Sequence, residues 1–175
     1  MIKKIIVPTD GSDHADKALD LAFDIAEKYA AEVIVLHVIL RSQSVFDLLG
    51  LAKKLHADAA VTNRLQELCD ASIEAVSTPY GGIVSLPAPD NIIEIVGELI
   101  CADAKTRAEA KELTGIRTYT VEGSPIERIL AAEEHENADM IVMGSRGLGK
   151  FDELFMGSVS HKVSHLSKST CVTVK

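Results

Sequence analysis

Residues 140–160 read MIVMGSRGLGKFDELFMGSVS. The stretch opens with Met140, Ile141, Val142 and Met143, a continuous apolar run of the kind a strand covered on both faces requires. Gly144 and Gly147 follow, where a backbone without Cβ can approach a charged ligand or take a positive φ. Gly157 and Ser158 then open a helix, marked by the stripe Val159, Val163 and Leu166. The first amides of a helix lack internal partners, and the helix dipole adds to their attraction for an anion. Ser158 and Ser160 bring hydroxyls, and Arg146 a charge-assisted donor. Strand, glycine loop and helix start, in that order, predict a site for polyphosphate.

Working outward, four more β-branched runs stand at residues 4–7, 32–39, 116–121 and 171–174. Helical patterns separate them. After Ser12, a hydroxyl suited to an N-cap, Ala15, Ala18, Ala22, Ile25, Ala26 and Tyr29 recur at helical spacing. Asn91 to Glu94 has the spacing of a capping box, with Thr114-Gly115 as the expected stop. Ser124-Pro125-Ile126-Glu127 repeats the box with proline at the first helical position. Strands alternating with helices mean βαβ units and a parallel sheet, an α/β fold. In a sheet of order 3-2-1-4-5 the strand order reverses between the first and fourth strands. Doubly wound sheets bind ligands beyond the carboxyl ends of strands at such a reversal. The loops there are Thr9-Asp10-Gly11-Ser12 and Gly144-Ser145-Arg146-Gly147, the most glycine-marked strand ends in the chain.

Residues 41–90 break the alternation. Val45, Leu48, Leu49, Ala52 and Leu55 form one amphipathic stripe, and Val61, Leu65, Leu68, Ser72 and Val76 a weaker second one. Pro79, Gly81, Gly82, Pro87 and Pro89 punctuate residues 77–89. The expected order is helix, helix and a long mobile loop, inserted after the second strand of one domain spanning residues 1–175.

With 18 basic against 26 acidic residues the formal charge is -8. Nucleic-acid binding draws much of its free energy from phosphate neutralisation, so a nucleic-acid partner is disfavoured. Cys69, Cys101 and Cys171 are odd in number and widely spaced, which suggests neither a disulfide frame nor a zinc knuckle. The start of the chain is too short in apolar residues for a signal peptide, and no run approaches the ~20 residues of a spanning helix. A cytoplasmic protein without a membrane segment is expected.

Two common nucleotide motifs are not met in full. Gly144, Gly147 and Gly149 do not make GxGxxG. Gly144 to Lys150 matches GxxxxGK, but Phe151 stands where a magnesium-binding hydroxyl is needed. The stretch instead resembles the universal stress protein signature, G-x2-G-x9-G-[ST], with Gly144, Gly147, Gly157 and Ser158 at its fixed positions. Ile6-Val7-Pro8-Thr9-Asp10-Gly11-Ser12 is similar to that family's first strand and loop. Met140 to Gly144 resembles its fourth strand, and Gly157 to Ser160 the start of its last helix.

The resemblance implies a three-layer sandwich around a five-stranded parallel sheet, and ATP binding of the kind found in one branch of the family. Pro8, Thr9, Asp10 and Val38 would surround adenine and ribose, with Met143 lining the base. Gly144, Arg146, Gly147, Gly157, Ser158, Val159 and Ser160 would take the ribose and phosphates. Asp10 would also hold magnesium, or manganese, on the phosphates, since a carboxylate at a strand end suits such an ion. The expected role is regulatory or stress-related. Slow ATP hydrolysis or phosphate transfer is the alternative, and a scaffold of the same fold without nucleotide a further one. No nucleophile–base pair is evident in the sequence. The last strand, at a sheet edge, offers unpaired backbone groups and neither charge nor proline before Lys175, which predicts a homodimer through its copy. The chain departs from the family in the long 41–90 segment and in lacking a proline after Cys171.

Overall fold

The computed structural model describes residues 1–76, 87–148 and 156–175. Its elements run β1 (Lys4–Pro8), α1 (Asp13–Tyr29), β2 (Glu32–Ile39), α2 (Val45–Lys54), α3 (Ala59–Val76) and α4 (Asp90–Ala110). Then come β3 (Ile116–Glu122), α5 (Pro125–Glu136), β4 (Met140–Gly144), α6 (Ser158–Leu166) and β5 (Thr170–Val174). The chain divides into two compact units, Met1–Val38 with Ile100–Lys175, and Ile39–Leu99.

In the first unit the strands form one sheet of order β3-β2-β1-β4-β5. The pairings of β1 with β2 and β4, and of β4 with β5, are parallel, with Ile5 opposite both Val33 and Met140. Successive side chains of a strand point to opposite faces, so each strand feeds two cores. Ile5, Val7, Val33, Val35 and Val142 pack against Ala18, Leu19, Ala22 and Phe23 of α1 and Ala104 and Ala108 of α4. Ile6, Ile34, Leu36, Ile141 and Met143 pack against Ile129 and Ala132 of α5 and Val163 of α6. Helices therefore cover both faces, which is why β1 and β4 are apolar at every central position. Burying one such large side chain stabilises the fold by about 1.5–3 kcal/mol, and Phe23 is fully buried.

The second unit holds the two helices expected in residues 41–90. The stripe Val45, Leu48, Leu49 and Ala52 is buried on α2, and Val61, Leu65 and Ser72 on α3. In α3 the stripe also includes buried Cys69, while Leu68 is only half-buried. Asp58 caps α3 by accepting the N–H of Val61 at 2.9 Å. The long loop expected over residues 77–89 lies outside the described residues except for its last three. Residues 149–155 of the glycine stretch lie outside them as well.

Helix boundaries differ from the sequence expectation in an instructive way. α4 begins at Asp90, and the carbonyl of Pro89, not the side chain of Asn91, receives the first N–H groups, from Ile92 and Ile93. Ser124 does stand at the start of α5 with proline after it, but its hydroxyl makes no cap bond. At the far end α4 stops at Ala110, short of Gly115. Glu112 takes φ 56° and Leu113 donates back to the Ala108 carbonyl at 3.1 Å. This is the Schellman arrangement that usually employs glycine. Ala30 after α1, His56 after α2 and Asn137 after α5 close their helices likewise, with φ of 50°, 53° and 51°. Among the described residues these four are the non-glycine positions of positive φ, and every one terminates a helix.

Candidate functional site

β1 and β4 are neighbours whose chains leave the sheet at the same edge, and the two loops meet there. In the first loop Thr9 still follows the sheet, donating its N–H to Leu36 at 2.9 Å. Gly11 then turns with φ 77°, and the Ser12 hydroxyl caps α1 by accepting from Ala15. The Asp10 carboxylate is placed by both loops. Its Oδ1 accepts the N–H of Ser12 at 3.1 Å, and its Oδ2 accepts the N–H of Leu148 at 3.0 Å. His37, buried on β2, donates Nδ1–H to the Thr9 carbonyl at 2.9 Å and so holds the loop from the neighbouring strand. Burial lowers the pKa of His37, outweighing the Thr9 hydrogen bond and the Asp10 charge, so the ring is neutral at pH 7.

In the second loop, buried Ser145 is the fixed point. Its N–H donates to Val174 at the end of β5, and its carbonyl accepts both the Gly157 N–H and the Ser160 hydroxyl at 2.8 Å. Its own hydroxyl lies 3.0 Å from Nδ1 of His14 in the first turn of α1. Sequence reasoning missed Ser145 and His14. Ser145 fills an unspecified position of the signature, His14 follows the first loop outside it, and 131 residues separate them, so nothing local links the two.

The signature glycines have local packing reasons. A Cβ on Gly144 would stand 2.8 Å from the His14 carbonyl carbon and 2.9 Å from the Ala15 nitrogen. One on Gly147 would collide with Oδ2 of Asp10, and one on Gly157 would press on the Ser145 carbonyl oxygen. Gly144 and Gly157 thus let two backbone segments of the site approach, and Gly147 makes room for the Asp10 carboxylate.

Of the residues singled out from the sequence, the structure brings Asp10, Gly144, Arg146, Gly147, Gly157 and Ser160 into one cluster of touching loops. Pro8 and Thr9 end the first strand beside it. Ser158 is exposed on the first turn of α6, and Val159 and Val38 are half-buried against the core that contains Met143. Two candidates face inward. Met143 is 3% exposed within that core, and Ser160, also 3% exposed, spends its hydroxyl on the Ser145 and Gly157 carbonyls. All these positions belong to the first unit. Among the described residues no group of three or more His, Cys, Asp or Glu side chains converges.

A family model described as "Universal stress protein family" matches residues 1–175. The chain belongs to the universal stress protein family. Among curated relatives, "Universal stress protein YxiE" of Bacillus subtilis is 31% identical, with the whole of each chain covered. Among solved structures, the universal stress protein UspA from Lactobacillus plantarum superposes with a TM-score of 0.66 at 20% identity, covering 99% of this chain and 98% of that one. Another, a universal stress protein solved in complex with cAMP, gives 0.61 at 22% identity, covering 99% and 97%. The fold of this universal stress protein is theirs, helices on both sides of a five-stranded sheet of order 3-2-1-4-5. None of its described helices is long and apolar enough to cross a membrane.

Proposed function

We propose that this universal stress protein binds ATP, together with magnesium or manganese, and serves a regulatory or stress-response role in the cytoplasm. One relationship carries the reading. The Asp10 carboxylate ties together the loops that follow two adjacent strands, β1 and β4, where the strand order reverses. Open α/β sheets bind their ligands at that place. The first turn of α6, whose Ser158 is exposed, offers helix-start amides that suit a phosphate. Pro8, Thr9 and Val38 are the side for base and ribose, with Met143 in the core behind Val38. Each Asp10 oxygen keeps a lone pair after accepting its backbone bond. One carboxylate together with nucleotide phosphates is an ordinary ligand set for magnesium, which binds few protein groups. The reading treats residues 1–175 as one family domain, with residues 41–90 as a helical insert.

The test is calorimetric titration of ATP into the purified chain and into Ser158→Glu. A glutamate suits the first turn of a helix, so the variant folds, yet it places a like charge where the phosphates would lie. ATP affinity should fall more than about tenfold while thermal stability holds. Unchanged affinity removes the site from this place.

A second reading, a scaffold without nucleotide, is favoured by one observation. Gly144 is required by the backbone packed against it, and Gly147 and Gly157 also stand tightly against the loops themselves, so contacts within the chain explain their size without a ligand. Mass spectrometry of the denatured, freshly purified protein separates the two, since only the first releases a nucleotide.

A further inference from the structure

Hydrogen-bond accounting among the described residues points to one direction for the hydroxyl–imidazole pair of Ser145 and His14. Ser145 is 4% exposed, and among the described residues its hydroxyl has one partner, Nδ1 of His14 at 3.0 Å. A buried O–H left without an acceptor costs about 1–3 kcal/mol, so the hydroxyl donates and Nδ1 accepts. A neutral imidazole that accepts at one nitrogen carries its proton on the other. Nε2 of His14 is therefore an N–H donor, turned away from Ser145 and without a partner among the described residues. His14 is half-exposed, and its backbone lies against Gly144 so closely that a Cβ there could not fit. The ring thus stands at the seam between the first turn of α1 and the 144–148 loop, beside the Asp10 bridge.

We propose that His14, oriented by Ser145, is a ligand for the phosphate chain of the bound nucleotide, donating from Nε2. The proposal rests on the nucleotide reading above and adds a contact for the phosphates rather than for the base. A Ser–His pair is also the beginning of a nucleophile and its base. Here that role fails on geometry, because the serine oxygen is buried and no carboxylate among the described residues accepts from the far nitrogen of the ring. Ser145 is instead a positioning residue. It selects the tautomer that makes Nε2 of His14 a donor.

The experiment compares ATP with adenosine on the full chain by calorimetry, for the wild type, His14→Ala and Ser145→Ala, with far-ultraviolet circular dichroism to verify folding. His14→Ala should weaken ATP about tenfold, the worth of one hydrogen bond to a charged group, and leave adenosine unchanged. Nitrogen-15 NMR of the imidazole should find the Nε2–H tautomer in the wild type and a mixture in Ser145→Ala, with an intermediate loss of ATP affinity. If His14→Ala binds ATP as the wild type does, or loses ATP and adenosine equally, the phosphate contact is wrong while nucleotide binding stands. An Nδ1–H tautomer in the wild type overturns the role of Ser145. A wild-type chain that binds neither ligand overturns the nucleotide reading itself, and this contact with it.

Discussion

Leu148 donates its backbone N–H to the carboxylate of Asp10 at 3.0 Å, joining positions 138 residues apart. The same carboxylate accepts from Ser12 two residues on. One side chain thus fixes both the turn that starts α1 and the loop that leaves β4. Gly147 stands so close to that carboxylate that a Cβ there would displace it.

Asp10→Asn preserves size but turns an amide toward one of two backbone donors and removes the charge from both bonds. Urea unfolding should find it less stable by about 1–2 kcal/mol, the range for hydrogen bonds to a charged acceptor. Its ATP affinity should also lose its dependence on magnesium. Stability equal to the wild type would mean that the bridge does not hold in solution.

Ala30 and Glu112 occupy left-handed backbone that glycine accepts without a Cβ penalty. Ala30→Gly and Glu112→Gly should each raise the unfolding free energy by about 0.5–1 kcal/mol, against the usual destabilisation by glycine. Asn137→Gly should gain less, because asparagine already tolerates this conformation. The urea midpoints of the three variants give the ranking, and a loss of stability in Ala30→Gly contradicts the assigned helix end.

At the opposite end of the sheet from the site, Arg117 grips Glu136 with two bonds of 2.7 and 3.2 Å and reaches Glu32 as well. That guanidinium, more than the nearby Lys4 ammonium, lowers the Glu136 carboxyl from 4.5 to about 2. A carboxyl with a depressed folded pKa adds stability that is full above its unfolded value. The contribution is lost as pH falls from 4.5 toward 2. Arg117→Gln should therefore be less stable at neutral pH, and the gap should shrink across that interval. A gap independent of pH would show that the ion pair contributes nothing.

The dimer through β5 remains our proposal, and the structure shapes how it is tested. Val172 and Val174 pack partly against the α1-side core, so charging them would disturb the fold. Thr170 and Thr173 are exposed on the same edge strand. Thr170→Lys with Thr173→Lys puts like charges into a two-fold antiparallel contact and leaves the core alone. Light scattering should find the wild type dimeric and the double variant monomeric. A monomeric wild type at micromolar concentration ends the idea.

Much of the fold was legible in the sequence because burial on both faces of a parallel strand leaves a local mark. Ile5 to Val7, Val33 to Leu36 and Met140 to Met143 are apolar in unbroken runs, and residues 45–76 keep helical period, so element types follow from neighbours alone. Helix ends were less legible. Ala30, His56 and Glu112 terminate their helices in left-handed backbone without the glycine that would announce it. Fixed glycine spacing likewise marked the meeting of two loops, because a Cβ there would press on the neighbouring segment. Which polar groups those loops would bond was a different matter. His14 and Ser145 pair, and Asp10 reaches Leu148, through contacts that exist only once β1 and β4 lie side by side, and Ser160 turns inward to the Ser145 carbonyl only once α6 packs on the loop after β4. Hydrogen bonds act over about 3 Å of space whatever the distance along the chain, so only the tertiary structure could assign them.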